Sequence, residues 1–156
     1  MSLADLYARP GHLIRRAHQI SWALFLDECA DFGITPVQYS ALVAIGERPG
    51  IDATRLSALI AFDRSTIGNV IERLETRGLV ARHPSAEDKR QKLLSLTPEG
   101  QKLLLDVEAP VTRVQQRLLN PLTEKERKTF VSLLQRLTTE NNEVTSAPLR
   151  QASDTP

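Results

Sequence analysis

The sequence predicts a mainly α-helical domain with one small β-hairpin. Hydrophobic residues make up 41% of the 156 residues but aromatic residues only 4%, and a core poor in aromatic rings favours packed helices over a β-sandwich. Apolar residues recur every three or four positions along most of the chain, which is the helical period. The exception is residues 79–96, where two short alternating runs flank a charged loop. A chain of this length favours one domain.

A first long helix is predicted over residues 10–32. Pro10 suits the first helical position, and Gly33 suits the residue that ends a helix. Residues 1–9 are expected to form a frayed lead-in. The apolar residues of one helix face recur at intervals of four, three and four: Leu13, Ala17, Ile20 and Leu24.

The second helix opens on a strong start signal. Thr35 is an N-cap, Pro36 occupies the first helical position, and Gln38 completes a capping box. This helix is expected to end near Gly46. Three of its residues are expected to point into the core: Tyr39, Leu42 and Val43.

Residues 53–77 predict two helices joined by a tight corner. The link at residues 61–63 is as short as a helix-turn-helix corner requires, and Asp63 suits the N-cap of the longer helix. One face of that helix is apolar: Ile67, Val70, Ile71 and Leu74. The opposite face, with Ser65 at its edge, carries hydrogen-bonding or cationic side chains: Thr66, Asn69, Arg73 and Arg77. A helix lying in the major groove of DNA presents such a face.

The hairpin that follows is expected to form a wing beside this helix. Gly78 ends the helix, residues 79–83 and 92–96 form the strands, and residues 85–91 form the loop. Ile51 is expected to add a short third strand. A wing can reach the adjacent groove and the phosphates, and the cations of this one are Lys89, Arg90 and Lys92.

Two further helices are predicted after the wing. The first starts at Thr97 and Pro98 and continues as one long helix, bent at Pro110, to Asn120. Its apolar residues have the spacing of a coiled-coil seam: Leu104, Val107, Val111, Val114 and Leu118. The last helix opens on a capping box at residues 123–126 and carries a second apolar stripe: Phe130, Leu133, Leu134 and Leu137.

These stripes offer more apolar surface than one small winged domain can cover. We therefore expect a symmetric homodimer, with Val111 and Val114 in its seam. Two recognition helices about one DNA turn apart, ~34 Å, can then read a pseudo-palindrome. Residues 141–156 are mostly polar and are expected to be a disordered tail.

Charge and cysteine content bound the setting of the chain. The net charge is only +1, but residues 53–92 hold eight Lys/Arg against five Asp/Glu, so the winged segment carries +3. A single cysteine, Cys29, rules out an intramolecular disulfide framework and fits a reducing cytoplasm. No apolar run approaches the ~20 residues of a membrane span, and no signal-peptide core is present. The expectation is a soluble cytoplasmic protein without membrane contact.

Five short motifs carry a resemblance to a known family. In this order and spacing, the chain resembles the MarR family of bacterial transcription regulators, over roughly residues 10–137. The segments at residues 9–16 and 35–39 look similar to members that control the catabolism of aromatic acids, including nicotinate-pathway repressors. The motifs are Asp63-Arg64-Ser65-Thr66, Arg73-Leu74-Glu75, Arg77-Gly78-Leu79-Val80, Glu87-Asp88-Lys89-Arg90 and Leu96-Thr97-Pro98-Glu99-Gly100.

The resemblance implies a homodimeric repressor that binds double-stranded operator DNA and is released by a small-molecule effector. Asp88 is expected to orient Arg90 or to pair with Arg64. The DNA-binding residues are expected to be Arg64, Ser65, Thr66, Asn69, Arg73, Arg77, Lys89, Arg90 and Lys92. Within one domain over residues 1–156, the expected regions are dimerisation and effector helices (10–50), the winged helix-turn-helix (51–96), C-terminal dimerisation helices (97–140) and the tail (141–156).

The candidate effector site is a cationic cluster on the first long helix. It consists of His12, Arg15, Arg16, His18 and Trp22. The expected effector is an aromatic carboxylic acid, clamped by Arg16 with help from His12. Aromatic walls are expected from Trp22, Tyr39 and Phe62. The alternative is a partly solvated helix face with dimer contacts.

Two other functions stay open from the sequence. One is a winged-helix protein-interaction module that does not bind DNA. The other is a redox-sensing regulator acting through Cys29, although the neighbouring Asp27, Glu28 and Asp31 would raise its pKa. An enzyme is not expected, because no phosphate loop, nucleophile elbow or triad is present, and no cofactor is expected. His12 and His18 are six residues apart on different helix faces, so no helical metal site is expected either.

Overall fold

A computed structural model describes residues 2–150 of the chain. It is mainly helical, with a three-stranded antiparallel sheet in the order β1-β3-β2, which confirms the predicted fold class. The third strand predicted at Ile51 is present. The elements are α1 (Leu3–Tyr7), α2 (Pro10–Glu28), α3 (Pro36–Glu47), β1 (Ile51–Asp52), α4 (Ala53–Leu59), α5 (Arg64–Thr76), β2 (Val80–Pro84), β3 (Lys92–Leu96), α6 (Pro98–Leu119) and α7 (Glu124–Glu140).

The helices begin where the capping residues predict. At α3, the Thr35 hydroxyl accepts from the Gln38 backbone N–H (3.3 Å), and the Gln38 side chain accepts from the Thr35 N–H (3.0 Å). Thr97 and Thr123 cap α6 and α7 with the same type of bond. The N-terminal N–H groups of a helix have no partner inside the helix, so these side chains fix where each helix starts.

The N-terminal region differs from the prediction in two places. Residues 3–7 form helix α1, with a capping box from Ser2, rather than a frayed lead-in. The first long helix ends at Glu28, and residues 30–32 form a 3-10 helix that Gly33 closes in a left-handed conformation (φ 59°). The tighter winding brings Phe32 and the following Ile34 against the cluster that holds Phe25.

The helix α6 packs against α2 within the same chain, through a core that the helices α2, α3 and α6 share. Its buried members are Phe25, Cys29, Ile34, Val107 and Val114. Arg113 binds Glu28 (2.6 Å), and Arg117 binds Asp27 (2.5 Å) and Glu28 (2.8 Å) along the edge of this contact. The side-chain hydrogen bonds from Arg113 and Arg117 lower the pKa of the Glu28 carboxyl.

The coiled-coil spacing of α6 was therefore assigned to the wrong partner. Val107 and Val114 are fully buried inside one chain, and Val111 packs against the same core. A heptad pattern shows that a helix has a partner helix but not which one. Pro110 lies inside one continuous helix, as predicted.

Other apolar faces are left open in the single chain. Val43 is 36% exposed, so its predicted inward position is wrong. The exposed apolar residues of α2 are Leu13, Ile14, Ile20, Trp22 and Leu26. Those of α7 are Phe130, Val131, Leu133, Leu134 and Leu137. The stripe predicted on the last helix is thus only partly covered by the described part of its own chain.

The segment after α7 is ordered over residues 141–150, against the prediction of disorder. The Asn142 side chain accepts from the Leu149 N–H (2.9 Å) and donates to the Leu149 carbonyl (3.1 Å). Arg150 pairs with Glu143, and the Arg150 N–H donates to the Ala58 carbonyl of α4 (2.9 Å). These polar side chains replace backbone pairing and hold a compact loop against the helix-turn-helix. Residues 151–156 of the predicted tail lie outside the described residues.

No helix between residues 2 and 150 is both long enough and apolar enough to cross a membrane.

Shortening Val114 to alanine should destabilise the folded chain. The substitution opens a cavity in the α2–α6 core, and we expect a loss of about 1–3 kcal/mol in the free energy of unfolding. Denaturant unfolding measures the loss, with Leu105→Ala as the control because Leu105 is 73% exposed on the same helix. Equal stability of the two variants would contradict the burial of this seam.

Candidate nucleic-acid interface

The start of helix α5 is fixed by an N-cap that Asp63 and Thr66 form. The Asp63 carboxylate accepts the Thr66 backbone N–H (2.8 Å) and the Thr66 hydroxyl (2.6 Å). The bond from the Thr66 hydroxyl, and after it the bond from the Thr66 backbone N–H, hold the pKa of the Asp63 carboxyl below its ordinary value. The predicted N-cap is confirmed. The Thr66 hydroxyl thus donates its proton to the cap and keeps its acceptor lone pairs.

The two faces of α5 separate as the sequence predicts. Its apolar stripe is buried in the core of the winged module: Ile67, Val70, Ile71 and Leu74. Four polar residues of the predicted DNA face are exposed: Arg64, Ser65, Asn69 and Arg73. The helix thus presents donors and cations to solvent along its length.

Arg77 departs from this face. Its guanidinium donates to the backbone carbonyls of Gly33 (2.7 Å) and Phe32 (2.8 Å), at the end of the 3-10 helix. A helical wheel places Arg77 beside Arg73. The wheel does not show that α5 ends just before Arg77, or that the segment at Phe32 and Gly33 lies within reach of the Arg77 side chain. The side chain is bound to protein in this structure.

The wing is a regular hairpin with its cations exposed. The strands β2 and β3 pair from Val80 with Leu96 to Pro84 with Lys92. The Asp88 carboxylate accepts the Arg90 backbone N–H (2.9 Å), and the described residues show no ion pair of Asp88 with Arg90 or Arg64. Asp88 therefore shapes the turn that carries Arg90 instead of holding its guanidinium. The exposed cations are Lys89, Arg90 and Lys92.

Two contacts that the sequence analysis missed attach the wing to the helices. The Gln91 amide donates to the Asp52 carboxylate (2.9 Å), and the same carboxylate caps α4 through the N–H groups of Thr54 and Arg55. Arg82 of β2 pairs with Glu75 of α5 (3.0 Å). Asp52 was recognisable as a capping residue, but its second partner is distant in sequence. The reading helix and the wing are thereby joined as one unit.

The predicted effector residues of α2 have partners that lie close to them in the sequence. The Arg16 guanidinium donates to Gln19 (3.0 Å), as does that of Arg15 (3.0 Å). His12 lies beside the Tyr7 ring, with centroids 5.4 Å apart, and Trp22 lies 6.0 Å from the His18 ring. All of these residues are on α1 and α2, and none belongs to the core cluster of the winged module.

The two remaining aromatic residues line separate cavities. Tyr39 borders a cavity of about 750 Å³ between α3, β3 and α6, together with Val43, Leu96 and Leu104. Phe62 borders a cavity of about 790 Å³ between the helix-turn-helix corner and the residues that end α7. Neither of these two cavities is bordered by His12, Arg16 or Trp22.

Cys29 has the environment of a core residue. Its side chain is 1% exposed. Burial raises the pKa of the thiol, Glu28 raises it further, and Arg113 opposes the shift. A thiol that stays protonated and shielded is a poor target for oxidants, so the geometry does not favour the redox reading. In the described part of the chain, no cluster of three or more His, Cys, Asp or Glu residues could hold a metal ion.

Comparison with known proteins identifies the family. A model of the MarR family matches residues 32–91. A transcriptional regulatory protein for the hcr operon of Thauera aromatica is 36% identical over 119 residues, which cover 76% of this chain and 71% of that protein. The chain belongs to the MarR family. Proteins of this family are transcription regulators rather than enzymes, which is the class that the sequence predicts.

Two solved structures of MarR regulators have the same fold as this chain. The repressor CouR, solved on a 23-mer DNA duplex, is 28% identical with a TM-score of 0.82, covering 88% of this chain and 98% of that one. BpsR of Bordetella bronchiseptica, whose DNA binding is regulated by 6-hydroxynicotinic acid, is 30% identical with a TM-score of 0.80. That match covers 85% of this chain and 94% of BpsR.

The Asp63 cap should make the stability of α5 depend on pH. Its pKa is lowered in the folded state, so its stabilisation is present above the unfolded pKa of about 3.9 and is lost as pH falls through the lower folded value. Asn is an equally good N-cap that does not titrate, which makes Asp63→Asn the matched control. We expect the stability difference between wild type and Asp63→Asn, measured by denaturant unfolding, to change in favour of the variant as the pH falls. A constant difference from about pH 6 to about pH 3 would contradict this role.

Proposed function

We propose that this protein is a homodimeric repressor that holds a pseudo-palindromic operator and leaves it when a small aromatic acid binds. It acts on chromosomal DNA in the cytoplasm. The observation that carries the proposal is the exposed polar face of α5 beside a cationic wing, both fixed to one module. The DNA-bound structure of the similar repressor CouR supports it.

The residues of α5 and the wing divide the work of recognition. Asn69 and Arg73 lie on the exposed face of α5, where an amide and a guanidinium can each make paired hydrogen bonds to a base edge. Ser65 lies one turn earlier, near the start of the helix. The wing cations Lys89, Arg90 and Lys92, with Arg64, suit phosphate and minor-groove contacts.

Dimerisation is assigned to the terminal helices, in residues 10–50 and 97–140. Both α2 and α7 carry several exposed apolar residues that a second copy can cover. Val114, which the sequence assigned to the seam, is buried within the chain and is replaced in this proposal by the stripe of α7. One recognition helix per subunit supplies too few base contacts for a specific site, and a dimer doubles them.

The wing and the recognition helix should respond differently to substitution. Arg90→Ala should weaken operator and unrelated duplexes together, and should lower the slope of log affinity against log salt by about one per wing. Asn69→Ala should cost about 1–3 kcal/mol at particular base pairs and relax the preference there. The measurement is fluorescence anisotropy on an operator obtained by selection from random duplexes, with single base-pair changes.

Arg90→Ala that binds the operator as tightly as wild type at moderate salt would show that the wing assignment is wrong. A wild-type protein that shifts no genomic fragment would favour the other class, a winged-helix module that binds protein instead of DNA.

The effector proposal rests on the cationic face of α2. Arg15 and Arg16 share one neutral partner, Gln19, so the positive charge of this face is not neutralised by a carboxylate among the described residues. A carboxylate ligand supplies the negative charge that neutralises this face, and a guanidinium binds a carboxylate through two parallel hydrogen bonds. Regulation of the similar protein BpsR by 6-hydroxynicotinic acid, an aromatic acid, supports the class of ligand. In the proposed dimer, the α2 helices lie at the interface, where a partner subunit can contribute further residues to the effector site.

Arg16→Ala should abolish release from DNA by the effector. A hundredfold preference of the acid for the non-binding state, ~2.7 kcal/mol, suffices to vacate an operator held with modest excess. The test titrates benzoates, hydroxycinnamates and pyridine carboxylates against wild type, Arg16→Ala and the control Arg15→Ala, measuring thermal stabilisation and loss of the DNA complex. Unchanged release in Arg16→Ala would remove Arg16 as the anchor, and no response to any acid would leave α2 a solvated face.

A further inference from the structure

Arg77 connects the end of the recognition helix to a different part of the chain. It lies directly after α5, and its two terminal nitrogens donate to two consecutive backbone carbonyls, those of Phe32 and Gly33. The sequence separations are 45 and 44 residues, so these are tertiary contacts. Both distances, 2.8 and 2.7 Å, are short for nitrogen–oxygen hydrogen bonds.

The acceptors are presented by an unusual backbone. Gly33 has a φ of 59°, the left-handed conformation that ends the 3-10 helix. A guanidinium carries its N–H groups in a rigid planar fork and can serve two neighbouring oxygens at once. A lysine ammonium is a single compact charge and does not reproduce that arrangement.

The segment that accepts the hydrogen bonds of Arg77, at Phe32 and Gly33, is itself attached to the long helices. The 3-10 helix follows α2, whose last residue, Glu28, is bound by Arg113 and Arg117 of α6. Phe32 packs against the α2–α6 core. The contact therefore joins the C-terminal end of α5 to the helical lobe outside the winged module.

The same contact lies next to the residues proposed to read DNA. A cavity of about 570 Å³ is bordered by Gly33 and Gln38 on one side and by Asn69, Arg73 and Arg77 of the α5 region on the other. Arg73 is one turn before Arg77 and makes no side-chain hydrogen bond to the described residues. Arg77 is thus hydrogen-bonded to protein, whereas the Arg73 side chain has its donors available for DNA.

We propose that Arg77 is a positioning residue for DNA recognition and not a phosphate contact. By bracing the end of α5 against Phe32 and Gly33, it sets the angle at which Asn69 and Arg73 meet the bases. The inference rests on the proposed function, because it concerns how the same protein reads an operator.

The test compares Arg77→Gln and Arg77→Lys with Arg64→Gln and Arg64→Lys in the full-length protein, because Arg64 is exposed on the same helix and is assigned to phosphate contacts. Affinities for the selected operator and for an unrelated duplex are measured over a series of salt concentrations. Circular dichroism and thermal unfolding check that each variant is folded at the assay temperature, and affinities refer to the active protein fraction.

For Arg77→Gln we expect about a tenfold loss of operator affinity, the size of a displaced base contact, with little change on the unrelated duplex. The salt slope should stay at the wild-type value, because no phosphate contact is removed. Arg77→Lys should fail to restore operator affinity. For the control Arg64→Gln, which removes a proposed phosphate contact, the salt slope should fall, and Arg64→Lys should restore that slope.

Three results would overturn the proposal. A salt slope lowered by about one per recognition helix in Arg77→Gln, and restored in Arg77→Lys, would make Arg77 a phosphate contact. An equal loss on both duplexes at unchanged slope would make its role one of general stability. Wild-type affinity in a folded Arg77→Gln would show that the contact does not matter. Failure of the proposed function is distinguishable, since wild type itself would then bind neither duplex.

Discussion

The packing of α6 on α2 within one chain is the contact on which the rest of the structure depends. Its buried residues are Phe25, Cys29, Ile34, Val107 and Val114, and burial of branched and aromatic side chains on this scale supplies most of the stabilisation that such a lobe has. Arg113 and Arg117 add ion pairs to Glu28 at the rim. Because these groups are partly exposed, the pairs contribute direction and register more than stability.

Two consequences follow from this packing. It consumes the apolar seam of α6, which leaves the outer face of α2 and the stripe of α7 as the surfaces that a second copy can cover. It also fixes the 3-10 helix after α2, and with it the carbonyls that hold Arg77. The winged module is tied together separately, through Asp52, Gln91 and the pair of Arg82 with Glu75. The two parts are joined by Arg77 and also by the packing of α3 and of Leu103 and Leu104 against the core of the winged module.

Local signals in the sequence predicted the parts of the structure that local physics determines. Asp63 before an apolar stripe defines both the start and the buried face of α5, because capping and helical period act over a few residues. The partner of Val114 was not predictable in the same way, since heptad spacing carries no information about which helix fills the groove. The contact of Arg77 was not predictable because its acceptors are main-chain carbonyls, which no residue type reveals. The loop around Asn142 was taken for disorder because its bonds join residues that composition alone marks as polar. Of the candidate effector residues, Tyr39 and Phe62 border different cavities, and His12 and Arg16 border neither of these two.

Recognition of an operator by the proposed dimer requires a fixed spacing between its two recognition helices. Thr76 is exposed at the end of α5 and Cys29 is buried, so a spin label placed on Thr76→Cys marks that helix without competition from the native thiol. Pulsed dipolar spectroscopy on the operator complex should give one narrow distance near one DNA turn, ~34 Å plus the reach of the labels, and an effective acid should broaden or shift it. Absence of dipolar coupling on the operator, or a spacing that places the helices on opposite faces of the duplex, would contradict the account.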